Sequence, residues 1–393
     1  MDALQKTIDR INRLFYKPDT TEPERAGLRK DERLSEDAAH TAALRGSGAP
    51  SLTTYKEVVY NFQKYQENLE ELSKAQFRKK LWENFSKGKI VHYGLTEEQL
   101  IQVVKKIDLQ NRFLEMSYLN DKFTGDAIPL KDLIISPNHS PHRYYAEIQN
   151  RVNTLVEEAT RRSLVPVFMT ITLPSHFHPF KLVNNRLIEN PQYDGTSPRE
   201  AVKALTDRFA RLRNDRALRD IPKDQRVYFR VNEPHRSGTP HTHILYFLPA
   251  HRVERLVQAF RRLYPQKGND IQTDLNDAVG YVMKYVNKTL PRSSTKRFRK
   301  RKNRYLNAWY SHNRIVRFSS SRSLAPLYLY RLLHHRYSLR ALTRLVKERR
   351  IRVLRPVDDL DKIAEIFEGE DLIYMRNENF SLHKHRGIDY ENG

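Results

Sequence analysis

The chain has 393 residues and no cysteine, and 70 Lys and Arg stand against 47 Asp and Glu for a formal net charge of +23. With 39% hydrophobic residues, 17 Phe and 21 Tyr, a mostly disordered chain is excluded and the length suggests two or three domains. The missing cysteines exclude a disulfide framework, a thiolate zinc ribbon and a thiol nucleophile, while the positive surplus, beyond general solubility, favours a polyanionic partner, nucleic acid before anionic membrane.

In chain order, MDALQKTIDRINRLF at the start carries charges throughout, with Leu4, Ile8, Ile11 and Leu14 at helical spacing. That describes an amphipathic helix and not a secretory signal. Residues 17–50 hold Pro, Gly, Ala, Ser and alternating charges without a period, a linker or exposed loop. Thr54 to Phe85 returns to three- and four-residue apolar steps, and Thr96 with Glu97 and Glu98 opens a further helix as an N-cap and acidic first turn. Pro137 and Pro141 mark a break, so residues 1–150 are expected to form a helical N-terminal region. The longest apolar stretch, Leu164 to Leu173, is far short of the roughly 20 residues of a membrane span. Its PVFMTITL core, ended by Pro174, reads as a buried strand. Ser197-Pro198 starts a helix, and Arg226 to Asn232 and His241 to Leu248 form strands joined by the turn residues Ser237, Gly238 and Pro240. Helix over His251 to Leu263, an extended piece at Ile271 and helix over Asn276 to Leu290 follow. Strands alternating with helices around an antiparallel hairpin favour an α+β domain over residues 151–321. Residues 322–393 read as a basic helical C-terminal region.

His241 and His243 are two apart on a strand, so both imidazoles project to one face and could hold one metal ion, with Thr242 facing away. Folding back across the turn brings Glu233 to them, giving two His and one carboxylate; His235 is a reserve ligand. The competing reading is two ordinary strand-edge histidines, and a second H-x-H, His176 and His178, follows Pro174 and reads as loop residues or phosphate contacts. Tyr281, Lys284, Tyr285 and Lys288 share one side of a helix, while Val279, Val282, Met283 and Val286 supply a separate buried stripe. Aromatics at that spacing are commonly core, but here the phenols are left to face a site. A phenol of pKa about 10 attacks a phosphate only with cationic help, which a metal and a Lys provide. Together these residues suggest phosphodiester transesterification through a covalent phosphotyrosine, with a divalent ion on Glu233, His241 and His243 polarising the phosphate.

FMTITLP (168–174), EPHRSGTPHTHILYFLP (233–249) and YVMKYVNK (281–288) resemble, in order and character, the three motifs of the HUH endonucleases. They look most like bacteriophage replication gene A proteins, and LNAWYSHNRIVRFSSS (306–321) resembles the segment after that family's Tyr motif. The resemblance covers about Leu164 to Ser321. It implies a metal-binding pair His241 and His243, a third ligand Glu233, nucleophiles Tyr281 and Tyr285, and a central antiparallel sheet flanked by helices, related to RNA-recognition domains. Thr242 departs from the bulky residue common there, which bears on packing more than on catalysis. Imidazoles alone would suit zinc, iron or nickel; phosphoryl chemistry and the resemblance point to Mg²⁺ or Mn²⁺.

Lys296, Arg297, Arg299, Lys300, Arg301, Lys302 and Arg304 form a dense run that reads as a phosphate clamp in preference to a solvated loop. Arg336, Arg340, Arg344, Lys347, Arg349, Arg350, Arg352 and Arg355 continue the sign along an expected helix with Leu339, Leu342, Leu345 and Val346 on its apolar face. The expected function is nicking of single-stranded or supercoiled origin DNA and rejoining of strands in rolling-circle replication. No glycine-rich phosphate loop is present, so a host helicase and a single-strand-binding protein are the expected partners, in the cytoplasm and without a membrane. Competing functions are a rolling-circle transposase, a non-catalytic nucleic-acid-binding protein and a two-His, one-carboxylate iron oxygenase; the last explains neither the paired Tyr nor the charge.

Overall fold

The computed structural model describes residues 71–121, 127–290, 297–355, 363–375 and 380–384. The helix expected at the start, the loose segment 17–50, the first part of the helix expected from Thr54, and Lys296 lie outside the described residues.

A helix over residues 71–86 (α1) leads to a short hairpin, β1 (Ile90–His92) and β2 (Leu95–Thr96), turned at Tyr93 and Gly94. Thr96 caps α2 (Glu97–Glu115): its side chain accepts from Gln99 N–H and the Gln99 side chain accepts from Thr96 N–H. This capping box, with Glu97 and Glu98 at the positive end of the helix, fixes where the helix begins. Next come β3 (Ser117–Asp121), β4 (Ala127–Pro129) and the short α3 (Leu130–Leu133), so the region expected to be helical also holds four strands. Those strands have two to five residues each, too few for an alternating period to stand out from helical spacing. Pro141 is the first residue of α4 (Pro141–Arg161), where its missing N–H costs nothing.

The central part contains β5 (Leu164–Ile171), the hairpin β6 (Phe180–Val183) and β7 (Arg186–Glu189), and α5 (Pro198–Arg213). It continues through β8 (Val227–Pro234), β9 (Pro240–Pro249), α6 (Val253–Leu263), β10 (Asp270–Gln272), α7 (Ala278–Thr289), α8 (Arg297–Asn313) and β11 (Phe318–Ser320). Five strands pair antiparallel in the order β10-β5-β9-β8-β11. The two-residue period splits this sheet between two cores. Phe168, Leu245, Phe247, Val231 and Phe229 pack with Ile148, Val152 and Leu155 of α4 and Val282 and Val286 of α7. On the other face Val167, Met169, Ile171, Ile244, Tyr246 and Leu248 meet Leu205 and Phe209 of α5 and Leu256 and Phe260 of α6. Each fully buried Val, Leu, Ile or Phe contributes about 1.5–3 kcal/mol, so the sheet is the rigid centre that carries the site. The architecture is α+β.

After β11 come α9 (Leu327–Leu333), α10 (Leu339–Lys347), β12 (Ile351–Leu354), β13 (Glu365–Glu368), β14 (Asp371–Met375) and β15 (Phe380–Lys384). This corrects the expectation of a helical C-terminal region. The basic helix stops at Lys347, Arg349 turns the chain at φ 57°, and the alternating Ile351-Arg352-Val353 forms a strand of a three-stranded sheet. Leu339, Leu342 and Leu345 are buried as their spacing implied. β15 pairs with β3, Phe380 opposite Asp121 through Lys384 opposite Ser117, so the last described strand completes a sheet begun ahead of α4.

Candidate active site

Glu233, next to last in β8, stands directly opposite His241 on β9, and His243 follows two residues later on the same face. Their ligand atoms all lie within 4.8 Å of one another. Oε2 of Glu233 is 3.3 Å from His243 Nε2 and 3.9 Å from His241 Nε2. The 3.3 Å approach lacks hydrogen-bond alignment: both of its atoms are buried and without a hydrogen-bond partner among the described residues. Nδ1 of His243 lies 3.0 Å from Thr170 Oγ1, the residue opposite it on β5. With the proton on that Nδ1, Nε2 turns a lone pair toward the carboxylate. Two facing acceptors in a dry site call for a cation between them, so the donor set fits a divalent metal. Thr242 is fully buried on the opposite face, with its hydroxyl toward Val231 O.

The electrostatics agree with neutral imidazoles beside an ionised carboxylate. Burial holds His243 below its ordinary pKa despite Glu233, and burial with neighbouring His235 and His243 holds His241 well below. Burial raises the Glu233 carboxyl; a proton on His243 Nε2 would lower it together with the Lys288 charge, but with that proton on Nδ1 the lowering falls to Lys288. Lys288 Nζ lies 3.5 Å from Glu233 Oε1. His235 stacks on His241 at 4.1 Å between ring centroids, and burial with nearby His178 lowers its pKa to about 4. His235 is therefore a neutral imidazole stacked behind His241, outside the cluster of Glu233, His241 and His243. His178 lies 5.4 Å from His235 with Nε2 on Leu173 O, whereas His176 is exposed.

Helix α7 opens with Asp277, whose side chain accepts from Gly280 N–H, and lies over this face of the sheet. The Tyr285 ring sits 3.8 Å from the His243 ring and 5.9 Å from Tyr281. Phe168 meets both phenols, edge-on to Tyr281 and stacked with Tyr285. Tyr281 donates to Gln272 Oε1 at 2.8 Å. The separate-stripe expectation needs correction: Tyr285 is only 9% exposed and belongs to the core with Val282, Met283 and Val286, because the site face and the core face of the sheet are the same face. Burial, then Tyr281, Glu233 and Asp270, push its pKa up to about 12. Lys288 lies 4.9 Å from the Tyr285 ring, and Lys284 is 5.8 and 5.9 Å from the two phenol rings.

The segment 306–321 fixes this assembly. Arg317 is buried, donates to Thr289 O at the end of α7 and to Asn307 Oδ1, and stacks 4.1 Å from Tyr310. A cation on those carbonyls suits the negative end of a helix. Tyr310 in turn donates to Asn232 O beside Glu233.

Of the basic run, Arg297 to Arg304 form the first turns of α8, and Arg301, Lys302 and Arg304 are exposed. Lys302, Arg301 and Arg236 of the β8–β9 turn act together, after burial, to lower the pKa of His92. Cations thus gather at the turn end of the β8–β9 hairpin. Gln272 and Tyr93 were missed by the sequence reading, and Phe168, Thr170, Arg236 and Arg317 stood inside the quoted motifs without a role of their own. Only Phe168 and Thr170 carried a usable signal, their alternation with Val167, Met169 and Ile171.

The bacteriophage replication gene A protein (GPA) family matches residues 95–292, just over half of the chain. The replication gene A protein of Escherichia phage P2 is 26% identical over 196 residues, 45% of this chain and 25% of that protein. The replication protein of Haemophilus phage HP1 is 26% identical over 179 residues, 42% of this chain and 22% of that protein. A Salmonella typhimurium protein named "Probable replication endonuclease from prophage-like region" is 28% identical over 217 residues, 49% and 26% of the two chains. The matched part of the chain spans about a quarter of the length of these relatives. No solved structure matches the chain.

Proposed function

This chain belongs to the bacteriophage replication gene A protein family, and from that premise we propose that it initiates replication by nicking single-stranded origin DNA through a 5′-phosphotyrosine link. The observation that carries the reading is the cluster of Glu233, His241 and buried His243 with the Tyr285 ring packed 3.8 Å from His243. Glu233, His241 and His243 would hold Mg²⁺ or Mn²⁺. When bound, such an ion supplies Lewis-acid polarisation of the non-bridging phosphate oxygens. The phenol oxygen of Tyr281 or Tyr285 attacks the phosphorus, the bond to the 3′-oxygen of the preceding nucleotide breaks, and the proton lost by the phenol is balanced by the one gained at that 3′-hydroxyl. Lys288 and Lys284, beside the phenol rings, stabilise the developing phenolate. The link preserves a phosphodiester, so the free 3′-hydroxyl can reverse the reaction, and the second Tyr can accept the next junction. Origin DNA, a host helicase and a single-strand-binding protein are the partners this chemistry needs.

The test incubates the full chain with labelled single-stranded oligonucleotides and Mn²⁺ or Mg²⁺ and looks for a protein–DNA adduct stable to denaturation. Tyr281→Phe/Tyr285→Phe is expected to abolish cleavage and adduct together, and each single change to leave partial cleavage without complete strand transfer. An adduct surviving in the double variant would place the nucleophile elsewhere. His241→Ala and His243→Ala should stop cleavage with DNA binding retained; loss of folding with binding would mark the histidines as structural.

A further inference from the structure

A cavity of about 210 Å³ lies against the turn of the metal hairpin and takes no part in the chemistry above. One wall is Ser237 to Pro240, and His241 is the next residue in the chain. The others come from α1, the β1–β2 turn and the start of α2, the segment after β5, the approach to and first turn of α5, and the end of α8. Its volume is below the roughly 300–1,000 Å³ of pockets for drug-sized ligands, enough for one ring system and too small for a length of nucleotide chain. The lining has the chemistry of a ring-binding site, with the aromatic rings of Phe77, Tyr93, Phe177 and Tyr193 beside the amides of Asn84 and Asn313. Asn84 is half-buried and its side chain has no hydrogen-bond partner among the described residues, whereas Asn313 spends Nδ2 on Trp309 O and keeps Oδ1 to offer.

Two further features mark the cavity as built. Tyr93 is held at φ 54°, a left-handed conformation that a bulky side chain rarely adopts. Gly238, at φ 88°, lets the hairpin turn press on it: a Cβ there would stand 2.4 Å from Tyr93 O. Trp309 Nε1–H donates to Gly238 O and Thr239 donates to Phe177 O, so the wall is tied to two other elements. Lys80 lines the cavity, and Lys302, Arg301 and Arg236 lie near enough to His92, the neighbour of Tyr93, to act after burial in lowering its pKa. Cations outside and rings inside match a ring carried on a phosphodiester backbone.

We propose that this cavity takes one unpaired nucleobase of the bound strand, stacked on the aromatic wall and read at its edge by Asn84 and Asn313. The proposal rests on the DNA-nicking reading and names how that site selects where it cuts. A base held one residue from His241 fixes the register of the strand over the metal set. Stacking inside a snug pocket is the usual means by which proteins hold a base withdrawn from its neighbours.

The test uses the full chain in EDTA, so that it is independent of cleavage. Binding of fluorescein-labelled dT15, dA15 and dC15 is compared by anisotropy with a 15-mer of abasic residues, for the wild type and for Asn84→Trp, which fills the cavity from its rim. Expected is about a tenfold loss for at least one base-bearing strand, the size of one stacked base, with the abasic strand within twofold of wild type. If Asn84→Trp fails to fold by circular dichroism, Phe177→Leu, which removes a ring and keeps bulk, takes its place with the same expectation. Photo-crosslinking of a 5-iodouracil-containing 15-mer should label peptides containing Tyr93, Phe77 or Phe177. Equal loss on base-bearing and abasic strands, no loss on either, or crosslinks confined to other peptides would overturn the cavity assignment. Failure of the nuclease reading shows separately, as wild-type protein that gives no metal-dependent cleavage.

Discussion

A histidine ligand works only if its lone pair is aimed, and His243 is aimed by a residue more than seventy positions earlier. Thr170 Oγ1 meets His243 Nδ1 at 3.0 Å because β5 and β9 place the two residues opposite each other. A metal held on Nε2 would leave the proton on Nδ1, where the hydroxyl can accept it and hold the ring, and outer partners of this kind typically carry 10–100-fold in metal affinity. Thr170→Val keeps the shape and removes the hydroxyl. It is expected to weaken Mn²⁺ binding by about tenfold or more, read from the free-ion signal in electron paramagnetic resonance, while Thr170→Ser restores it to nearly wild type. Unchanged Mn²⁺ affinity in Thr170→Val would sink this role. Glu233, His241 and His243 could be read from the sequence because they share one hairpin, where alternation and a short turn fix the register. Thr170 could not, because the pairing of β5 with β9 is a tertiary fact. Tyr281 and Tyr285 were legible as a pair, but the burial of Tyr285 depends on which face of the sheet α7 covers.

At the scale of elements, α4 is the support on which the C-terminal helices rest. Arg331 of α9 makes a forked pair with Glu147, Nη2 to Oε1 at 3.0 Å and Nε to Oε2 at 3.1 Å. Lys347 of α10 contacts Glu158, which Arg161 and Arg162 also approach. Burial would raise the Glu158 carboxyl, but Lys347 and Arg161 outweigh it and hold it below its ordinary 4.5. Lys347 is lowered as well, by burial first and then by Arg162 and Arg161 against the pull of Glu158. Three cations serve the Glu158 carboxylate, so the charged form is the favoured one. A depressed folded pKa means that the unfolded chain binds the proton more readily. The stabilisation is therefore complete above about pH 4.5 and is lost as pH falls through the folded value. Glu158→Gln should lower the melting temperature by a few degrees at pH 7, with the gap to wild type closing in acid; a gap independent of pH would exclude this origin. Elements with strong local signals were legible, such as α5, where Ser197, Pro198 and Glu200 form a capping box with proline in the first turn. β12 was not, because Arg349, Arg350 and Arg352 read as continuing a basic helix and only Arg349 at φ 57° ends it.

For the whole molecule, a charge of +23 names the class of partner but not where it lies. Beyond a Debye length of about 8 Å at physiological salt, exposed charges are largely screened, so only cations placed along the strand's path set affinity. Many of the basic residues are already committed within the fold: Arg317 to a helix end, Lys347 to Glu158, Arg331 to Glu147. Arg301, Lys302 and Arg304 differ, being exposed on the first turns of α8, and Arg301 and Lys302 lie near enough to act on His92 beside the β8–β9 turn. A single strand that crosses them releases one condensed counterion for each phosphate neutralised, which gives a slope of about −0.7 per contact in log affinity against log salt. Changing all three to Gln should therefore flatten the slope for dT15 by about 2, measured by anisotropy across a salt series in EDTA. The base-binding cavity should be untouched by this change, so the preference for base-bearing over abasic strands is expected to persist at matched salt. A slope equal to wild type would show that the start of α8 makes no phosphate contacts, and would move the strand's path to the Lys284 and Lys288 side of the tyrosine helix.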